Sequence, residues 1–101
     1  MEYEVYIGDI QDASDHETIR DAGISTVVKL TNREPAQGYP REVDVVRCPM
    51  MDGPRNEKEK FNQAVETVAE LLRDNESVLV HCAAGKSRSV TVTAAALSVV
   101  E

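Results

Sequence analysis

The feature that most constrains the fold is a short, fully apolar strand that runs directly into a small-residue loop and then a helix. Val78-Leu79-Val80 has no polar member, which is typical of a strand buried at the centre of a sheet. A helix is predicted to begin near Ser87 and to continue to the end of the chain. A buried strand followed by a covering helix favours an architecture of helices packed on a sheet.

The remainder of the chain alternates strands and helices. Capping boxes at Ser14/Glu17 and Asn56/Glu59 predict two more helices, the first ending at Gly23 and the second amphipathic. Thr31–Glu42 is predicted to be a loop. Strands are predicted at Tyr3–Ile7, Ile24–Leu30, Val43–Arg47 and Val78–Val80. The pattern predicts one α/β domain with a mostly parallel central sheet of four or five strands flanked by helices.

The last predicted helix is apolar around almost its whole circumference. Such a helix is expected to be buried on all sides, yet the sequence stops at Glu101. We therefore expect that further helices of a longer natural protein cover its outer face. The alternative is a homodimer in which a second copy covers it.

Composition narrows the range of partners. The formal charge of -7 disfavours binding to nucleic acid or to an anionic membrane, so any phosphate binding must come from a local site. The acidic start at Met1–Glu4 is unlike a secretory signal, and no apolar run reaches transmembrane length. We expect a cytoplasmic protein in which Cys48 and Cys82 are free thiols.

The segment His81–Ser89 carries the chemistry. A tight loop between a strand and a helix turns its backbone N–H groups inward, where the helix N-terminus adds positive potential. The same dipoles that hold a phosphate stabilise a thiolate at Cys82. Five residues separate Cys82 from Arg88, whose planar fork fits two phosphoryl oxygens. The predicted phosphate-binding residues are Ala83, Ala84, Gly85, Lys86, Ser87 and Arg88.

Other interpretations of this segment are weaker. A nucleotide-binding loop ending at Gly85-Lys86-Ser87 needs a glycine where the chain has Val80. A zinc site built from His81, Cys82 and Cys48 lacks a fourth ligand. A cysteine protease needs a separate histidine base, and His16 is the only other histidine. A merely structural, buried Cys82 leaves the glycine, the arginine and the serines around it unexplained.

The pattern His81-Cys82-x-x-Gly85-x-x-Arg88-Ser89 resembles the signature of the dual-specificity phosphatases, within the cysteine-dependent protein tyrosine phosphatase superfamily. Three further segments resemble strands of that family, so the similarity covers nearly the whole chain. They are Tyr6–Asp9, Gly23–Thr31 and Val78–Val80. The resemblance implies that residues 1–101 form one phosphatase-like catalytic domain whose C-terminal helices are missing.

The resemblance also implies a role for each site residue, with neither metal nor cofactor. Cys82 attacks phosphorus and forms a phosphocysteine, while Arg88 and the loop amides hold the phosphoryl oxygens. Ser89 hydrogen-bonds the sulfur and helps it to leave, and His81 orients the loop. The general acid corresponds to Asp52, on a Gly/Pro-containing loop thirty residues before the nucleophile.

The expected substrate is a phosphorylated protein, with the choice between tyrosine and serine or threonine open. Lys86 resembles a lysine of the phosphoinositide phosphatases, which leaves a small phosphoester or phosphoinositide as the alternative substrate. A non-catalytic phosphopeptide-binding module is the second alternative. A core role is expected for Cys48, with a disulfide to Cys82 as its alternative.

Overall fold

A computed structural model describes residues 3–50, 57–83 and 87–101, with the side chains of Glu57 and Ser87 outside that description. Strands and helices alternate along the chain as the sequence pattern predicts. Their bounds are β1 (Val5–Gly8), α1 (Ile10–Ser14), α2 (His16–Asp21), β2 (Thr26–Lys29), β3 (Asp44–Arg47), α3 (Glu57–Arg73), β4 (Val78–His81) and α4 (Ser87–Val100). The predicted α/β class is confirmed.

The described strands form one parallel sheet in the order β1-β4-β2-β3. The two central strands, β2 and β4, are buried at every position, as expected for strands covered on both faces. The apolar run at Val78–Val80 is therefore the start of a central strand, as predicted. Strand β4 extends one residue further, to His81, and this places the next residue at the carboxyl edge of the sheet.

Side chains alternate between two packed layers. Val28 and Val80 point towards the core formed with α3 and α4, where Val68, Leu72 and Val92 are fully buried. Their neighbours along the strands, among them Val27 and Leu79, pack on the opposite face with residues of α1 and α2. Gly8 is needed on this second face because a Cβ there would lie 2.8 Å from the Asp12 Cβ.

The predicted helix between Ser14 and Gly23 is present as α2, but its cap is Asp15 rather than Ser14. A second short helix, α1, precedes it and was not predicted. Asp9 caps α1 in a capping box with Asp12, and Asp15 caps α2 by accepting from the Thr18 N–H. The Ser14 hydroxyl instead donates to the Ile10 carbonyl within α1, at 2.9 Å. The predicted end is confirmed: the chain leaves α2 at Gly23, whose φ of +71° favours glycine.

The described elements leave the outer face of α4 uncovered, as expected from the sequence. One face of α4 packs on the sheet and on α3, which buries Val92 and Ala96 completely. The opposite face carries Val90 and Val99, which are 48% and 52% exposed, because the described elements lie on one side of the helix. The homodimer that would cover this face stays a prediction.

No helix within residues 3–50, 57–83 and 87–101 is long and apolar enough to cross a membrane.

Candidate active site

Cys82 lies immediately after β4, at the carboxyl edge of the sheet and before α4. The residue is only 3% exposed, and its backbone N–H donates to the Gly8 carbonyl at 3.3 Å. The next residue, Ala83, accepts a hydrogen bond from the Ile10 N–H at 3.2 Å. Backbone bonds from β1 and α1 therefore fix the beginning of the loop that follows the thiol.

Ser89 is the side chain that contacts the sulfur from α4. Its Oγ lies 3.1 Å from the Cys82 Sγ and 3.3 Å from the Gly8 carbonyl, and the residue is fully buried. A hydroxyl has one proton to donate, so the two acceptors compete for it. The Ser89 hydroxyl is close enough to the sulfur to donate a hydrogen bond to it.

His81 is fully buried and is held through both of its ring nitrogens. Its Nδ1 lies 3.2 Å from the Cys82 carbonyl, which can only accept, so Nδ1 carries a proton. Burial of the ring lowers the pKa of His81. In the neutral ring Nε2 is an acceptor, and the Tyr39 hydroxyl donates to it at 2.8 Å. The arrangement fixes one tautomer and ties the ring to the backbone of Cys82.

Tyr39 is a site residue that the sequence analysis did not find. It comes from the predicted loop Thr31–Glu42, and its ring lies tilted against that of His81 with the centroids 5.8 Å apart. Burial raises the pKa of Tyr39 to about 12, which keeps the hydroxyl a donor at neutral pH. Gly38, with φ of +67°, precedes it in a turn closed by the Gly38 N–H and the Pro35 carbonyl. A tyrosine after a glycine turn is a weak signal in sequence.

Arg88 lies in the first turn of α4 and contacts Met50, which precedes the predicted general acid Asp52 in the sequence. Its guanidinium donates to the Met50 carbonyl at 3.2 Å, and the Met50 N–H donates in turn to the Leu30 carbonyl. Asp52 lies outside the described residues, as do Ala84, Gly85, Lys86 and the Ser87 side chain. The structure thus brings His81 and Ser89 into contact with Cys82, while the Arg88 guanidinium is bonded to the Met50 carbonyl.

The competing interpretations of the sequence gain no support from the described residues. His16 begins α2, and its Nε2 donates to the Gly38 carbonyl at 2.8 Å, so its ring is engaged away from the thiol. Cys48 packs against the core, and both cysteines are free. The described part of the chain holds no group of three or more His, Cys, Asp or Glu residues that could bind a metal.

Comparison with known proteins bears on the whole domain. The family described as "Dual specificity phosphatase, catalytic domain" matches residues 5–97. Human "Dual specificity protein phosphatase 9" is 35% identical over 96 residues, which is 92% of this chain and 25% of that protein. Human "Dual specificity protein phosphatase 22" is 32% identical over 92 residues, which is 90% of this chain and 49% of that protein. The chain therefore spans half or less of the length of these curated relatives.

Solved structures agree with the fold. A mouse putative dual specificity phosphatase, crystallised as a complex with zinc tungstate, superposes with a TM-score of 0.75 at 28% identity and covers 93% of this chain and 59% of its own. Human DUSP28 superposes with a TM-score of 0.76 at 24% identity and covers 93% of this chain and 66% of its own. With its buried thiol on a parallel sheet and a family match along most of its length, the chain belongs to the dual-specificity phosphatase family.

Proposed function

We propose that this protein hydrolyses phosphate monoesters on proteins, on phosphotyrosine and/or on phosphoserine and phosphothreonine, through a phosphocysteine intermediate. The observation that carries the proposal is the 3.1 Å contact between the Ser89 hydroxyl and the buried Cys82 sulfur, at the junction of a central strand and a helix. A donor aimed at a sulfur stabilises the anionic form, which is the form that attacks phosphorus.

The reaction has two steps. The Cys82 thiolate attacks phosphorus, an S–P bond forms, and the P–O bond to the substrate oxygen breaks as Asp52 gives that oxygen a proton. Water then attacks the phosphocysteine, phosphate is released and the sulfur leaves as a thiolate. The Ser89 hydroxyl, already at the sulfur, stabilises the leaving anion in this second step. Arg88 holds the phosphoryl oxygens in both steps, because a guanidinium binds two of them in one plane.

His81 supports this chemistry without transferring a proton. Its Nδ1–H is engaged with the Cys82 carbonyl and its Nε2 with the Tyr39 hydroxyl. Neither nitrogen is directed at the sulfur by these bonds. Its role in the proposal is to fix the backbone from which the thiolate projects.

The test uses p-nitrophenyl phosphate with EDTA present, and it compares the wild type with Cys82→Ser and Cys48→Ser. We expect turnover in the wild type and in Cys48→Ser, and none in Cys82→Ser. Cys48 is the matched control because it is the other free thiol and packs at the edge of the core rather than beside Ser89. Turnover that survives in Cys82→Ser, or that EDTA abolishes, would contradict the mechanism.

Tungstate provides a second test, because it is a tetrahedral oxyanion and accompanies a similar structure. We expect it to compete with the substrate in the wild type. If tungstate and a phosphotyrosine peptide bind but no phosphate is released, the protein is a phosphopeptide-binding module instead. Comparison of a phosphopeptide with an inositol phosphate in the wild type and in Lys86→Ala separates a protein substrate from a phosphoinositide.

A further inference from the structure

A lysine is buried at the carboxyl end of the central strand β2. Lys29 is only 3% exposed, although a buried ammonium is unfavourable unless it is paired. Strand register places it directly beside His81 of β4 on one side and Arg47 of β3 on the other. With Gly8 of β1 these residues form one row across the edge of the sheet, on the face that α1 and α2 cover.

The partner of this lysine comes from the loop Thr31–Glu42. The Glu34 carboxylate forms a charged hydrogen bond with the Lys29 ammonium, and it lies 3.8 Å from the Arg47 guanidinium. The Glu34 side chain is 53% exposed while that of Lys29 is 4% exposed, so the loop reaches down to the sheet at this point. The hydrogen bond from Lys29 lowers the pKa of Glu34, which keeps the Glu34 carboxylate charged at neutral pH.

Five residues after Glu34, the same loop delivers Tyr39 to His81. Between the two, the turn from Pro35 to Gly38 reverses the chain, and His16 of α2 holds the Gly38 carbonyl from above. The loop therefore contacts the row on the sheet at two neighbouring positions, through a carboxylate on Lys29 and through a hydroxyl on His81. A shift at one contact moves the other, because only a short turn separates them.

We propose that Lys29 is a positioning residue for the phosphatase reaction: by its ion pair with Glu34 it holds the loop where the Tyr39 hydroxyl donates to His81. The inference rests on the proposed function, since the consequence is control of the residue next to the nucleophile. The Tyr39 bond fixes the neutral tautomer whose Nδ1–H holds the Cys82 carbonyl. Loss of the ion pair frees the loop, and the ring then loses the contact that orients it.

The charges near His81 give Lys29 a second way to keep the ring neutral. The nearby Lys29 ammonium opposes protonation of the ring, whereas Glu34 and Asp9 favour it. In the intact ion pair, the buried Lys29 ammonium offsets the effect of the Glu34 carboxylate on the ring. Without Lys29, the carboxylates of Glu34 and Asp9 remain, and the two groups that hydrogen-bond the ring, the Tyr39 hydroxyl and the Cys82 carbonyl, carry no charge. Removal of the lysine therefore favours the protonated ring, in which Nε2 no longer accepts from Tyr39.

The test compares Lys29→Met with Arg47→Met in the full chain. Both substitutions remove a cation that contacts Glu34, but only Lys29 is buried and beside His81. We expect kcat/KM for p-nitrophenyl phosphate to fall about tenfold in Lys29→Met, the scale of a small misplacement of reacting groups, and to stay within about twofold in Arg47→Met. Methionine fills a similar apolar volume, so thermal unfolding should show Lys29→Met to be folded.

Two more measurements separate positioning from a structural effect. Long-range ¹H–¹⁵N NMR spectra report which nitrogen of His81 is protonated. We expect the His81 signals to change in Lys29→Met and not in Arg47→Met. Because the contacts form one chain, the double variant Lys29→Met/Tyr39→Phe should be no slower than the slower single variant.

If Lys29→Met does not fold, the exposed Glu34→Gln removes the same ion pair. It should also lower kcat/KM and change the His81 signals by freeing the loop, although the remaining Lys29 then opposes protonation of the ring. A folded Lys29→Met, or Glu34→Gln, with wild-type kcat/KM and unchanged His81 signals would overturn the proposal. Absence of turnover in the wild type would contradict the proposed function alone. In that case the NMR comparison still decides whether Lys29 positions His81.

Discussion

Replacement of Ser89 by alanine should slow the second chemical step far more than it destabilises the fold. The substitution removes the hydroxyl 3.1 Å from the Cys82 sulfur. The other acceptor, the Gly8 carbonyl, keeps the Cys82 N–H as a donor at 3.3 Å, so no buried carbonyl is left unpaired. The expected loss of stability is about 1 kcal/mol, the usual contribution of one hydrogen bond.

The kinetic effect is larger because the sulfur is charged when it leaves. A hydrogen bond to a charged group contributes roughly 1.5–3 kcal/mol, which corresponds to about a 10- to 150-fold slower hydrolysis of the phosphocysteine. The first step, attack of the Cys82 thiolate on phosphorus, should not slow comparably. A thiolate that has lost a hydrogen bond is a more reactive nucleophile. The phosphoenzyme should therefore accumulate in Ser89→Ala.

The assay is rapid mixing with p-nitrophenyl phosphate, in which an accumulating phosphoenzyme gives a burst of p-nitrophenol followed by slow turnover. Thr93→Val is the matched control, since Thr93 lies one turn further along α4 and its buried Oγ1 has no hydrogen-bond partner among the described residues. We expect Thr93→Val to keep wild-type kinetics and to be more stable by about 1 kcal/mol. A Ser89→Ala enzyme with no burst and a kcat within about twofold of wild type would refute the reasoning.

Two further predictions concern the acid and the pH dependence of stability. Asp52→Asn should lower kcat by about 10²-fold, and the loss should be larger for alkyl than for aryl phosphates. The control is Asp44→Asn, at an exposed position of β3, which should leave kcat unchanged. Equal losses of kcat on both substrates would show that Asp52 is not the general acid. Glu76 accepts hydrogen bonds from the Thr26 and Ser25 hydroxyls, which lower its pKa from 4.5. A lowered folded-state pKa adds stability above pH 4.5 that is lost as the pH falls through the folded value, so urea unfolding should show a steeper acid loss in the wild type than in Glu76→Gln.

The strands could be predicted because their local signals are strong and agree with their burial. Ile24–Leu30 is rich in β-branched residues, and the observed strand is its centre, Thr26–Lys29. The flanking residues continue the ladder by hydrogen bonds, as Leu30 N–H does to the His81 carbonyl at 2.9 Å. Such bonds depend on which strands are neighbours, and a local pattern does not contain that order. The ends of strands therefore shifted by one or two residues.

The cap of α2 and the existence of α1 were missed for a different reason, because this region of the sequence offers three overlapping caps. Asp9/Asp12, Ser14/Glu17 and Asp15/Thr18 each have the required spacing, and the structure uses the first and the third. Cap spacing alone gives no order among them. Gly8 lets Asp12 of α1 approach β1 closely, and Ser14 then lies inside α1, where its hydroxyl donates to the Ile10 carbonyl.

The candidate site divides in the same way into contiguous and distant parts. His81, Cys82, Arg88 and Ser89 are close in sequence, so one motif predicted them together. Tyr39 reaches the site through a loop whose path depends on Gly38, His16 and Lys29, and no spacing rule connects a residue in such a loop with a strand that begins at Val78.

Lys29, by contrast, left a signal in the sequence. A central parallel strand is expected to be apolar on both faces, and Lys29 is the charged exception within Ile24–Leu30. Burial of that charge is unfavourable for stability. A charged residue at the carboxyl edge therefore breaks the apolar preference of the strand, and such exceptions are found at functional sites. This exception lies one strand away from Cys82 and directly beside His81. The buried lysine therefore marks the same carboxyl edge of the sheet as the cysteine motif, by an independent signal in the sequence.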